Sequence, residues 1–144
     1  MGIFAVLTKQ KIIVLTLFFV LSFLILGEFY SAKAGEQPAL ISNSNRVDYI
    51  SSLGLQVKEE PAIENVVIPP VFSDVYTAYN KLQLKAGFNL EDFRGKEVVK
   101  YTYTLKSDEY TVVNLLMLDN RVIGGDICNI RLDGFMKPLI KDEE

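Results

Sequence analysis

Two consecutive glycines followed by a carboxylate, Gly124-Gly125-Asp126, are the most unusual local feature of the sequence. Glycines inside a strand leave no side chain to pack, so something is expected to approach that backbone closely. Two interpretations stay open. The glycines mark a β-bulge or the crossing of a helix, or a ligand or peptide lies on them with Asp126 as its polar anchor.

Three more polar side chains are candidates for binding a ligand or partner together with that segment. Asn114 lies in an otherwise apolar strand, and Asn80 lies on a predicted helix. A buried Asn costs free energy unless it is hydrogen-bonded, so Asn114 either bonds a neighbouring backbone or lines a pocket. Tyr101 is one of several tyrosines that either line a cleft or belong to the core with the hydroxyl at its rim.

The composition excludes several classes of enzyme and metal site. The chain has 144 residues, no His and a single Cys, Cys128, so Ser-His-Asp, Cys-His, zincin and zinc-finger chemistries are absent. Asp119, Asp126 and Asp133 are evenly spaced, but no calcium-loop pattern accompanies them. We therefore predict no catalytic residue, no metal ligand and no cofactor.

The charge separates the chain into two parts. Residues 35–144 carry 12 basic and 17 acidic side chains, a net charge of −5, while residues 1–34 carry three Lys and one Glu. An acidic domain repels phosphate backbones, so nucleic acid is not an expected partner.

The elements that position the candidate residues follow from apolar periodicity. A short helix capped by Asn45 ends at Gly54, and a longer one covers 73–86 before Gly87. Extended segments are expected at 55–58 and 63–68, as edge strands, and at 97–105, 110–118 and 121–132, with Asp119-Asn120 as a two-residue turn. The predicted fold is α+β: an antiparallel meander with one long and one short helix packed on it.

The middle strand, 110–118, is apolar at successive positions and is expected to be buried on both faces. The long helix covers one face. The other is closed by the short helix and the 88–93 loop, or it is left for a partner such as a second copy of the chain.

The N-terminal segment predicts the location of the domain. Lys9 and Lys11 precede an uncharged run, Ile12 to Gly27, and Phe29 and Tyr30 follow it. This pattern predicts a cytoplasmic N-terminus (1–11), a transmembrane helix (12–30), a tether (31–43) and an extracytoplasmic domain (44–144). The alternative is a signal peptide, with secretion after cleavage following Ala34.

The sequence from about Arg46 to Met136 resembles a bacterial family, domain of unknown function 4830. The matching motifs are Ser52-Leu53-Gly54, Ile68-Pro69 with Phe72, Val75-Tyr76, Tyr79-Asn80, Leu82-Gln83, Gly87-Phe88, Gly95-Lys96, Tyr101-Thr102-Tyr103, Asn114-Leu115-Leu116, Val122 to Asp126 with Cys128, and Leu132 to Met136. The resemblance implies short bacterial proteins with one retained N-terminal span. It implies no activity.

Two hypotheses of function follow. The first is a membrane-tethered, non-enzymatic domain that binds a protein or peptide of the bacterial envelope. The second is a small envelope enzyme that uses Asp, Tyr and Lys chemistry, with Asp126 and Lys100 as its candidates.

Overall fold

The computed structural model describes residues 39–141, and the predicted transmembrane segment lies outside them. The helices are α1 (Asn43–Ser52) and α2 (Asp74–Lys85), and a 3-10 helix covers Leu90–Phe93. The strands are β1 (Ala62–Val67), β2 (Glu97–Thr104), β3 (Thr111–Leu118), β4 (Arg121–Asn129) and β5 (Met136–Pro138). They form one antiparallel sheet in the order β1-β2-β3-β4-β5. The predicted α+β fold is confirmed for this part of the chain.

Both helices begin at a serine cap. Ser42 accepts a hydrogen bond from the backbone N–H of Asn45, whose side chain accepts in return from the N–H of Ser42. The predicted cap at Asn45 is therefore wrong by three positions: Asn45 completes a reciprocal pair in the first turn. Ser73 caps α2 as expected, and its hydroxyl accepts from the N–H of Tyr76.

The sheet differs from the sequence expectation at its ends. The segment 55–58 is no strand; it makes a single bridge, Val57 to Leu105. Strand β4 ends at Asn129, and the three-residue β5 returns against it. The turn between β3 and β4 is as predicted, because Asp119 and Asn120 have φ values of 49° and 63°.

Strand β3 is buried on both faces, and each face has its own apolar cluster. The α1 face of the sheet carries Val113, Leu115 and Met117, against which α1 and Phe88 pack. The α2 face carries Val98, Leu116 and Ile123, packed against residues of α2 and the 3-10 helix. Successive side chains of a strand point to opposite faces, so one chain closes both sides of this strand.

Candidate functional site

Four polar side chains meet on the α2 face in one hydrogen-bonded chain, which we call the Asp126 network. Thr102 donates its hydroxyl proton to Asn114 Oδ1 at 2.8 Å, and Asn114 Nδ2 donates to Asp126 Oδ1 at 2.9 Å. The hydroxyl of Tyr79, on α2, donates to Asp126 Oδ2 at 2.7 Å. Sheet register places Thr102, Asn114 and Asp126 side by side on β2, β3 and β4. The network therefore ties α2 to three strands.

The electrostatics of the network follow from burial. The side chain of Asp126 is 3% exposed. Loss of hydration raises the pKa of this carboxyl group, although the hydrogen bonds from Asn114 and Tyr79 and the charge of Lys100 oppose the rise. Burial, together with the neighbouring carboxylate, also raises the pKa of the Tyr79 hydroxyl, which therefore stays protonated as a donor.

The two glycines of the predicted site are approached by the protein itself. A Cβ atom on Gly124 would lie 2.9 Å from Leu90 Cδ2 and 3.0 Å from Gln83 Oε1. On Gly125 it would lie 2.5 Å from the backbone oxygen of Asn114 and 2.6 Å from Leu139 Cδ2. A bulge interrupts the β3–β4 ladder beside them, between Leu116 and Met117. Gly124 fits the first of the two interpretations, since α2 and the 3-10 helix cross it beside the bulge, whereas the space at Gly125 is taken by the β3 backbone and by Leu139.

Gln83 is a residue that sequence reasoning missed. It is fully buried on α2, and its Oε1 accepts a hydrogen bond from the backbone N–H of Gly125 at 2.8 Å. This N–H points away from β3, at a position that β5 does not reach. The Gln83 side chain thus provides the hydrogen-bond acceptor that a neighbouring strand would otherwise provide. Its Nε2 is buried without a hydrogen-bond partner among the described residues.

Asn80 and Tyr101 make contacts other than those of the Asp126 network. Asn80 Oδ1 accepts from the N–H of Leu90 at 2.8 Å and its Nδ2 donates to Asn89, so this side chain holds the 3-10 helix against α2. Tyr101 lies on the α1 face, where the guanidinium carbon of Arg46 is 4.0 Å from the centre of its ring. The structure thus brings Asn114, Asp126, Gly124 and Gly125 together, gives Asn80 a separate set of hydrogen bonds on α2, and places Tyr101 on the opposite face of the sheet.

The chemistry open to the Asp126 network is limited by its own hydrogen bonds. Both oxygens of the carboxylate already accept a bond from the protein. Lys100, the cation named in the enzymatic hypothesis, forms an ion pair with Glu64 at 2.6 Å. Among residues 39–141, no cluster of acidic or Cys side chains is arranged to hold a metal ion. The network is well suited to fixing α2 on the sheet.

A second feature lies at the sheet margin, on β1. Five of its six residues are exposed, including Ile63 at 64% and Val67 at 59%. The N–H of Ile68 donates to Lys96, so even-numbered positions point their backbone groups toward β2. Backbone direction alternates along an antiparallel strand, so Ile63, Asn65 and Val67 point theirs outward. We call these groups the β1 edge.

Comparisons with family models, curated proteins and solved structures found no match. The resemblance to domain of unknown function 4830 therefore stays a prediction from the sequence. No helix within residues 39–141 is long and apolar enough to cross a membrane.

Proposed function

We propose that this protein is a membrane-tethered, extracytoplasmic and non-catalytic domain that binds an extended segment of an envelope protein along the β1 edge. The observation that carries the proposal is the row of outward backbone groups on β1, flanked by two exposed apolar side chains. A strand added there gains main-chain hydrogen bonds for affinity and side-chain contacts for specificity.

The composition of β1 supports this role. Natural proteins block exposed edges with Lys, Pro or bulges, because an open edge pairs with other chains. Within Ala62–Val67 the outward set is Ile63, Asn65 and Val67, without a charge or a proline. Pro61 and Pro69 lie just outside the strand and limit the ladder to its length.

The enzymatic alternative has less support from the geometry. It needs a carboxyl group that exchanges a proton with a substrate, and Asp126 is buried with both oxygens occupied. Its pKa shift is explained by burial, and the same hydrogen bonds give it a structural task.

Photo-crosslinking in intact membranes tests the proposal. A photoreactive amino acid at Asn65 should give an adduct with a protein chain, because its side chain and backbone lie at the β1 edge. The same group at Val75, which is 81% exposed on α2, is the matched control. Equal adduct yields from both positions, or none from Asn65, would contradict the proposal.

The location is tested separately by the mass of the mature N-terminus. We expect Met1 or Gly2 in the membrane fraction, because the Ile12 to Gly27 run is flanked by Lys11 and by interfacial aromatic residues. A soluble form that begins at Gly35 would instead identify a cleaved signal peptide.

A further inference from the structure

From the geometry of β1 we infer that its partner strand is β1 of a second copy, paired antiparallel about a two-fold axis through Asn65. This inference rests on the proposed use of the β1 edge and names the partner. The result is one continuous sheet across two protomers, in which the two β1 strands are neighbours.

The register follows from two requirements. Paired residues must both point their backbone groups outward, which selects Ile63, Asn65 and Val67. A two-fold axis perpendicular to the sheet also places the α1 face of one protomer beside the α1 face of the other. Side chains that pair across the axis must therefore lie on the same face. Pairing Asn65 with its own copy meets both requirements, and Ile63 then lies opposite Val67 of the partner.

This register is complementary in side-chain type. On the α1 face, the exposed Ile63 and Val67 make two apolar cross-strand pairs, related by the axis, with an amide pair of Asn65 side chains between them. On the α2 face, Glu64 lies opposite the partner's Val66 and keeps its own ion pair with Lys100. The flanking Pro61 and Pro69 fall opposite each other, where the ladder ends.

The neighbouring registers are poorer. A shift that centres the axis on Glu64 sets two carboxylates directly opposite each other, which is destabilising. A shift that centres it on Val66 places Ile63 opposite Pro69, which has no N–H to donate. The register centred on Asn65 therefore uses the whole open strand with neither defect.

Cysteine crosslinking of the full chain in detergent tests both the pairing and its register. In a Cys128→Ser background, Asn65→Cys places two thiols in one hydrogen-bonded pair, with Cα atoms about 5.5 Å apart, within disulfide reach. Ile63→Cys is the matched control, because two copies of it are offset by four residues, about 14 Å along the strands. Glu64→Cys reports the shifted register.

We expect a disulfide-linked dimer from Asn65→Cys at a yield about tenfold or more above that of Ile63→Cys and Glu64→Cys, since only the first pair satisfies disulfide geometry. The double variant Ile63→Cys with Val67→Cys should also crosslink. A dominant yield from Glu64→Cys, or no dimer from any of these variants, overturns the inference.

A second measurement does not depend on cysteine. Val67→Lys should abolish the dimer of the otherwise unchanged full chain in sedimentation, because it places a charge in the apolar pair. Val75→Lys changes another exposed valine, away from the edge on α2, and should leave the dimer intact. If both variants sediment like the wild type, the inference is wrong.

The failure of this inference differs from that of the proposed function. Photo-adducts at Asn65 with a different protein, and no disulfide dimer, would support a partner at the β1 edge and overturn self-pairing. No adduct of either kind would overturn both.

Discussion

The two margins of this sheet are built in opposite ways. At one margin, β5 has three residues, includes Pro138, and pairs with β4 only over Asp126–Cys128. Where β5 is missing, the side chain of Gln83 bonds the free N–H of Gly125. At the other margin, β1 ends the sheet with six residues, and no strand within residues 39–141 pairs with its outer side.

This difference indicates that the margin at β4 and β5 stabilises the fold, whereas the margin at β1 is available for pairing with another chain. The β4 margin is closed by burial: Gln83 and Leu90 are fully buried there, and Leu139 packs over Gly125. Within residues 39–141 no strand pairs with the outward groups of the β1 margin, and such groups cost little in a monomer when water satisfies them. Changes at the first margin should therefore affect folding, and changes at the second should affect association.

The largest effect on folding is expected from Gly125→Ala. The added methyl group would lie 2.5 Å from the backbone oxygen of Asn114. Backbone cannot yield as a side chain can, so we expect a loss of about 3 kcal/mol in the free energy of unfolding. Urea denaturation of the domain measures it. Gly124→Ala is the control, since it meets only side-chain atoms and should cost clearly less; equal losses would refute this account of the margin.

Replacing Gln83 by Met tests the side chain that substitutes for a strand. The change keeps most of the buried volume but leaves the N–H of Gly125 without its acceptor. We expect destabilisation of about 1–2 kcal/mol, reduced by the removal of the unpartnered Nε2. Amide hydrogen exchange at Gly125 should also be faster in this variant than in the wild type. Unchanged exchange would mean that the N–H has another partner.

The pH dependence of stability tests the Asp126 network, which lies beside the closed margin. Burial raises the pKa of Asp126 in the folded protein, so the folded state binds this proton more tightly than the unfolded state. The stabilisation that results from this proton is complete below the pKa of Asp in the unfolded state, about 3.9, and is lost as the pH rises through the pKa of Asp126 in the folded state. Asp126→Asn removes this contribution, because it does not titrate.

We therefore expect the stability of the wild type relative to Asp126→Asn to fall as the pH is raised from acid toward neutral. Denaturation of both proteins across that range measures the difference. A constant difference would show that the hydrogen bonds from Asn114 and Tyr79 balance desolvation, and a difference that grows toward neutral pH would show that they outweigh it; either result contradicts the expectation.

The sequence predicted what depends on local pattern. Helix α2, the Asp119-Asn120 turn and the doubly buried β3 follow from periodicity and residue type. Strand β5 was missed because three residues with a proline carry no periodic signal. The segment 55–58 has the alternating apolar and polar residues of a strand, but it forms only one bridge, between Val57 and Leu105.

The candidate site was predicted in part for the same reason. Asp126 and Asn114 stand out in sequence because they are polar in apolar strands, and register joins them. The partners of Asn114 are the side chains of Thr102 and Asp126, where the sequence suggested a backbone group or a pocket. Tyr79 and Gln83 reach β4 from positions 47 and 42 residues away, and no local pattern reports such contacts.

The smallest effect is expected at the open margin, from Glu64→Gln. This change breaks the ion pair between Glu64, whose side chain is 61% exposed, and Lys100, whose side chain is 32% exposed. Exposed pairs are screened by solvent and hold two flexible side chains in place, so we expect a loss below about 0.5 kcal/mol by urea denaturation. Added salt should reduce this loss further, because it screens an exposed ion pair. A loss comparable to that of Gln83→Met would mean that β1 contributes to the stability of the monomer as much as the closed margin does. The assignment of the two margins to folding and to association would then be wrong.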